Sequence, residues 1–463
     1  MLRPVNRLPL EIMSRIVRCV PREHDTDTRS IIPLTHVCRY WREFIIFTPE
    51  HWTTISSRSR GLAAVSLERA KPAPLEITLS TPLAREGRWF SDLLTSHIQN
   101  TEILRVHYLS AIELKDILPN FPQSMPNLRS LALVARQGPG WDQFIDPFET
   151  FPPSMRYLKL VDIPLHPSLL KHRTLTELDL RDRQFNLHLD TLLDFLEENR
   201  SLKSAILILT FKEPSLRSSR RRTPIRNRLQ YLRITCSNAM DGQALISSIT
   251  LLKGAELTFT CDRMDARVND VLSGISTTHL SNLVSPTFME YHANARNIRL
   301  LGPNGTATFQ SPVGLDIPFV EFPRLPLANI RRLHLDTSCW DLIRPSPGPA
   351  VFHQLSFFPA LETLTIGCNR VLSRLLSALI SNPSSSPLLK TLAFLGCIIT
   401  EEFMEELTRF TSDRKNTTSA RLHCVGIFHR KGRFPSIGSI RKLREHVPVV
   451  DVRIAEELPT DLT

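Results

Sequence analysis

Apolar positions recur along this chain on two scales. In "LPLEIMSRIVRCV", residues 8–20, Leu8, Ile12, Ile16 and Val20 return every four residues, which predicts a helix with one apolar stripe. Pro9 suits its first turn, where a missing N–H would be unpaired anyway. In "LTHVCRYWREFIIF", residues 34–47, Leu34, Val37, Cys38, Trp41 and Ile45 form a second stripe, with Tyr40, Phe44 and Phe47 beside it. This second helix is expected to be apolar on more than one face. Residues 1–52 alone are near the lower size limit for a self-sufficient core. Their surplus apolar surface therefore needs cover from the rest of the chain or from another protein.

The second scale begins after residue 53. "GLAAVSLERAKPAPLEITLS" predicts a helix, a Lys-Pro-Ala-Pro break and a strand over 75–80. Beyond it a phrase of the form L-x-x-L-x-L returns as "ILRVHY", "LRSLAL", "MRYLKL", "LTELDL", "LKSAIL" and "LQYLRI". It returns again in "IRRLHL", "LETLTI", "LKTLAF" and "VVDVRI". First apolar positions fall at 103, 128, 155, 175, 202 and 229, then at 330, 361 and 389. Spacings mostly in the twenties with this phrase are the mark of leucine-rich repeats. The fuller phrase adds Asn or Cys, and Asn369 and Cys397 stand there, able to bond backbone groups of adjacent turns.

Asp190, Asp241 and Thr400 are placed to cap helices between strands. A strand–loop–helix unit leaves one side uncovered, so neighbours must stack. The expected fold class is α/β: N-terminal all-α helices, then an irregular leucine-rich-repeat solenoid, a horseshoe with strands on its concave wall. An ordinary α/β domain with leucine-rich strands is the competing reading. The expected domains are 1–52, a helical module; 53–74, a linker helix and Pro-containing break; 75–458, the solenoid, with an irregular insertion near 302–326; and 459–463, a tail. Residues 344–350 and 383–387 read as loops.

Composition narrows the function classes. Hydrophobic content of 42% and charged content of 22% argue against wholesale disorder. Only 16 glycines occur in 463 residues, which argues against glycine-rich phosphate loops. No stretch approaches the ~18 apolar residues that cross a bilayer, and no membrane partner is expected. Eight scattered cysteines without C-x-x-C fit reduced thiols, so cytosol or nucleus is the expected compartment. The sequons at Asn304 and Asn416 would then be silent.

The net charge of +11 is local. Residues 212–233 carry net +7 and residues 409–444 net +9, leaving the remainder at −5. The loop "LRSSRRRTPIRNR" holds Arg217, Arg220, Arg221, Arg222, Arg226 and Arg228. It fits an import signal, a phosphate-contacting loop, a segment regulated at Thr223-Pro224, or a solvated loop. No aromatic residues interleave with these arginines, so a base-stacking platform, and with it nucleic-acid binding, is poorly supported.

No phosphate-loop, dinucleotide, zincin or nucleophile-elbow motif occurs. His and Cys do not cluster at metal-ligand spacing, so no metal and no cofactor is expected. The pairs Glu197-Glu198, Glu401-Glu402 and Glu405-Glu406 read as solvated helix faces. The chain is expected to be non-catalytic.

One order of residues points further. Leu8-Pro9-x-Glu11-Ile12-x-x-x-Ile16, then Val37-Cys38-Arg39-x-Trp41-Arg42, then Pro49 and Trp52, strongly resembles the F-box over about residues 6–52. The connector "PREHDTDTRSII" is longer and more charged than that family's usual link, and Pro33 falls where its middle helix runs. The resemblance implies that Leu8, Pro9, Ile12, Ile16, Leu34, Val37, Cys38 and Trp41 face a Skp-type adaptor hung from a cullin scaffold. It implies a substrate receptor of an SCF-type ubiquitin ligase, with the repeats holding a target protein near the ubiquitin-loaded enzyme.

Strand residues alternate faces, so outward positions between the buried leucines are contact candidates for that target. They are Tyr157, Lys159, Asp179, Arg181, Tyr231, Arg233, Arg332, His334 and Asp336. Their mixture of charge and tyrosine suits a protein ligand. The alternative is a leucine-rich-repeat binding scaffold whose N-terminal helices only cap the solenoid, without a ubiquitin link. A basic nucleic-acid binder ranks third.

Overall fold

The leucines of the repeated phrase, and the polar side chain just before them, build most strands of this protein. The structure is a computed structural model, and the residues it describes are 8–20, 28–80, 95–110, 113, 125–136, 152–163, 173–187, 189–211, 225–226, 228–236, 239–261, 284–292, 297–310, 327–336, 355–367, 372–381, 386–417, 421–429 and 435–454. The chain divides into two compact units, Met1–Lys212 and Glu213–Thr463.

Unit 1 begins with α1 (Leu10–Cys19) and α2 (Arg39–Phe47). Pro9 is the N-cap of α1 rather than its first helical residue, and its carbonyl accepts from Met13 N at 3.1 Å. Pro33 splits the segment between the helices into two 3-10 turns, Thr28–Ile31 and Pro33–His36. The helix expected from Leu34 therefore starts only at Arg39, with Leu34 and Val37 displaced onto the turn before it.

Residues 53–74 are more than a linker. They contain β1 (Thr54–Ser56) and α3 (Arg60–Ala70), and β1 pairs in parallel with β2 (Leu75–Ser80). Ser59 caps α3 by accepting from Leu62 N. β3 (Thr101–Leu109), β4 (Ser130–Ala135), β5 (Tyr157–Val161), β6 (Glu177–Leu187) and β7 (Ser204–Phe211) follow, each parallel to the strand before it. α4 (Leu189–Glu198) buries Leu192, Leu193, Phe195 and Leu196 between β6 and β7; Asp190 lies inside its first turn, not at its cap.

Most phrase positions point inward: Leu128, Leu131 and Leu133 are 0%, 0% and 1% exposed, whereas in the last phrase Val450 is buried and Val449 is 45% exposed. Register corrects the first phrase. Leu104 pairs with Leu131, so Ile103 sits opposite the outward Ser130. The true first position is Thr101, buried with its hydroxyl donating to His97 O at 3.1 Å. A satisfied threonine in an apolar slot hid the repeat start.

A second ladder ties the turns together. Ser154 Oγ lies 2.6 and 2.8 Å from Pro126 O and Leu128 O. Thr174 Oγ1 lies 2.9 Å from Met155 O. Ser201 Oγ lies 2.8 Å from both Arg173 O and Leu175 O. Each hydroxyl precedes a phrase and satisfies carbonyls of the previous repeat.

Unit 2 holds β8 (Ile225–Arg226), β9 (Tyr231–Cys236), α5 (Ala239–Ser247), β10 (Ile249–Thr250) and β11 (Ala255–Cys261). Asp241 lies inside α5, which begins earlier than expected. β12 (Phe288–His292), β13 (Asn297–Gly302) and β14 (Gly305–Gln310) follow. Then come β15 (Arg332–Asp336), β16 (Thr363–Gly367), α6 (Leu372–Ser381), β17 (Thr391–Leu395), α7 (Glu401–Thr417), β18 (Cys424–His429), α8 (Ile437–Arg444) and β19 (Val449–Ile454). β8 and β10 form a separate small parallel pair.

The start of the expected insertion is structured: β14 pairs parallel with β11 and antiparallel with β13. β13 in turn runs antiparallel to β12, so the parallel order is broken there and resumes from β12 through β15 to β19. Residues 311–326, 344–350 and the tail 459–463 lie outside the described residues.

Thr400 caps α7, its Oγ1 accepting from Phe403 N at 3.2 Å. Cys397 is buried with Sγ 3.5 Å from Ile366 O of the preceding strand; Asn369 lies outside the described residues. In unit 2 the residue that precedes Leu422, the equivalent of Leu389 one strand on, is Arg421 rather than a hydroxyl, and the buried Arg414 of α7 donates instead to Ser386 O (2.7 Å) and Leu389 O (3.3 Å). The fold is thus mixed α/β with long, mostly parallel strand ladders.

Candidate functional site

Two surfaces of unit 1 carry the candidate residues. On the first, α1 turns Met13 and Val17 inward at 0% and 2% exposure. That rotation leaves Ile12 and Ile16 at 40% and 38%, while Leu10, on the Met13 side, is 55% exposed as the first residue of the helix. Val37 (58%), Ile32 and Phe47 are also exposed. Tyr40 Oη reaches Leu8 O at 3.5 Å, which brings the start of α2 beside the start of α1. Leu8, Leu34 and Cys38 are half-buried and Pro9 is exposed.

Trp41 departs from this set. It is 6% exposed, among the core residues Phe44, Ile45 and Trp52. The reason is the position of α2, whose inward face meets the chain's own next elements. Trp52 Nε1 donates to Ile45 O at 2.7 Å, and the Arg69 guanidinium of α3 lies 4.3 Å from the Trp52 ring centroid. The second helix is indeed covered on one side by the rest of the chain. The exposed apolar residues belong to α1, the turns and the last position of α2, Phe47.

The second surface is the outward face of strands β2 to β7. Register sets its rows. One row runs Glu76, Ile103, Ser130, Tyr157, Glu177, Ser204; the next runs Thr78, Arg105, Ala132, Lys159, Asp179, Ile206. A third runs Ser80, His107, Val134, Val161, Arg181, Ile208. Tyr157, Lys159, Asp179 and Arg181, chosen from the sequence, are thereby neighbours.

Asp179 is only 4% exposed, and its carboxylate meets Arg181 Nε at 2.8 Å and Lys159 Nζ at 3.4 Å. Its hydrogen bond raises the Arg181 guanidinium above its ordinary pKa. Arg105 pairs with Glu76. Burial, then the nearby Lys159 and Arg105 charges, lowers the His107 pKa. Burial, then Asp179 and Glu177, raises that of Tyr157. Arg105, His107 and Glu76 are not among the sequence candidates, although alternation puts them on the same face, since a phrase shifted by two residues keeps every side chain on its side.

The unit 2 candidates are not gathered. Tyr231 and Arg233 lie on β9, beside β11, whereas Arg332 and His334 lie on β15 between β12 and β16. His334 stands opposite the buried Glu290, which Arg299 holds at 3.3 Å. From there the same row shrinks to Thr365, Ala393 and Gly426 before Asp451. A Cβ on Gly426 would fall 2.7 Å from Phe428 Cε2, so glycine makes room for that ring on the outward face. The Asp336 side chain and the loop arginines 217 and 220–222 lie outside the described residues, Arg226 is described only as backbone of β8, and Arg228 is exposed.

Among the described residues no cluster of three or more His, Cys, Asp or Glu could hold a metal. Among them, too, no helix is long and apolar enough to cross a membrane. No protein-family model matches the chain, and no curated protein matches it. Solved structures that match include the leucine-rich repeat-containing protein LegL7 of Legionella pneumophila. It is 11% identical with a TM-score of 0.30, over 76% of this chain and 82% of that chain.

Proposed function

We propose that this protein is a non-catalytic recognition subunit, a leucine-rich-repeat receptor that holds a target protein while its N-terminal segment docks on a separate Skp-type adaptor. Through that adaptor it would join a cullin scaffold and act in an SCF-type ubiquitin ligase. The observation that carries this reading is the rotation of α1: Met13 and Val17 fill the core, while Ile12 and Ile16 stay outside. Ile12 and Ile16, one turn apart on one face, form an exposed aliphatic pair of the kind that marks protein contacts. The order of residues that resembles the F-box names the partner. Positioning a target needs no catalytic group on this chain.

Co-expression of the full chain with a Skp-type adaptor tests it. Ile12→Asp with Ile16→Asp should abolish co-purification while the circular dichroism spectrum stays that of the parent. Undiminished co-purification would falsify the adaptor reading. Trp41 is left intact in this test, because its burial would confuse lost binding with lost folding.

The burial of Trp41, Ile45 and Trp52 beside α3 favours a second reading, a binding scaffold whose helices cap the first strands without a ubiquitin link. Under it, the wild-type chain shows no adaptor binding at all.

A further inference from the structure

We propose that the outward face of β3 to β6 receives an extended peptide through one anionic side chain, seated above Ala132 between Arg105 and Lys159. This rests on the reading of the strand face as a recognition surface and names the chemistry it takes.

Ala132 pairs with Arg105 on one side and Lys159 on the other. Neighbouring strands are about 4.8 Å apart, so two cations flank a single methyl group. Ala132 is itself 3% exposed, so its short side chain lies low beneath the longer ones on either strand. The cations are held from their far sides: Glu76 pairs with Arg105, and the buried Asp179 holds Lys159 at 3.4 Å. Each keeps donors to spare, since an ammonium has three N–H bonds and a guanidinium five. Ser130 and Tyr157 border the gap on one row, His107 on the other. The lowered His107 pKa, caused in part by Lys159 and Arg105, fits two cations whose fields reach the same place.

The surroundings favour one anion on a peptide over a polyanion. Glu76, Glu177 and Asp179 share this face and would repel a phosphodiester backbone. Val134, Val161, Ile206 and Ile208 are half-buried on the same rows and offer apolar contact to residues beside the anion. A carboxylate and a phosphorylated side chain share the chemistry required.

The test is a random 12-residue peptide library displayed on phage, selected on the full chain and counter-selected on its Ala132→Glu variant, which places a carboxylate in the gap. Lys159→Gln serves as a second variant should Ala132→Glu not fold. We expect the selected peptides to carry Asp or Glu at one position between apolar residues. Synthetic copies with Gln at that position should bind about tenfold more weakly, as should the parent peptide on Lys159→Gln. Copies with phosphoserine there, compared with the Glu peptide, tell which anion the gap prefers. Selected peptides without an acid preference, or indifferent to both variants, overturn this inference while leaving peptide recognition standing. Failure to select any peptide overturns both.

Discussion

The same residue types meet opposite fates in the strand ladder and in α1. At the ladder's phrase positions Leu104, Leu131 and Leu158 are each 0% exposed. In α1, Ile12 and Ile16 remain 40% and 38% exposed beside the fully buried Met13. The difference lies in closure. Every inner ladder strand is covered by a strand on each side, so its leucines have no other place. α1 has one covering surface and apolar residues on two sides, so a surplus must face outward. Burial therefore separates leucines that hold this fold together from aliphatics available for association.

The largest break in that comparison is Leu131→Ala. It removes a fully buried side chain beneath β4, and a cost of about 3 kcal/mol is expected, seen as a lower urea midpoint of the full chain. A midpoint unchanged from wild type would mean that this leucine is not core. Gly426→Ala comes next, at about 1–3 kcal/mol, because its Cβ would press on the Phe428 ring. In the background of Phe428→Ala the same change should cost far less, and equal costs in both backgrounds would refute the contact.

Much of the ladder was legible because its signal is periodic: burying three apolar residues per repeat leaves a phrase that survives irregular loops. The first start was lost because Thr101 satisfies its hydroxyl locally and so substitutes for an apolar residue. β1 was lost because Thr54–Ser56 is short and carries no leucine phrase. β14 alternates "GTATFQ" with Gly305, Ala307 and Phe309 buried, a strand pattern with one large apolar side chain, too weak to stand out beside Pro303 and Gly302. In the candidate site, alternation put Lys159 and Asp179 on one face, and strand register made them neighbours. No sequence rule sets the rotation of α1, since its Ile12/Ile16 and Met13/Val17 pairs are equally apolar. Only the docking of the segment decides which pair is inside.

Smaller effects sharpen the ladder side of the comparison. Ser201→Ala removes a hydroxyl that lies 2.8 Å from two carbonyls of the previous repeat, and about 1 kcal/mol should be lost. The urea midpoint reads this as well; no shift would mean that water replaces the hydroxyl freely. His107 adds a pH dependence. Its folded pKa lies below the unfolded value of about 6.5, so the unfolded chain binds more protons as pH falls through that range. Stability should fall on acidification from pH 7 to pH 5, and His107→Gln should flatten that slope. An identical slope in the variant would assign the loss to other groups.

The smallest expected change in stability belongs to the ridge. Ile12→Asp and Ile16→Asp replace side chains already more than a third exposed, and stability should stay within about 0.5 kcal/mol of wild type. The neighbouring Met13→Asp, one residue away on the same helix, should instead unfold the segment, because it places a charge where the core admits no water. Thermal unfolding of the two kinds of variant makes the contrast direct. If Ile12→Asp proved as damaging as Met13→Asp, the ridge would be part of the fold. A separate subunit would then have nothing apolar left on α1 to hold.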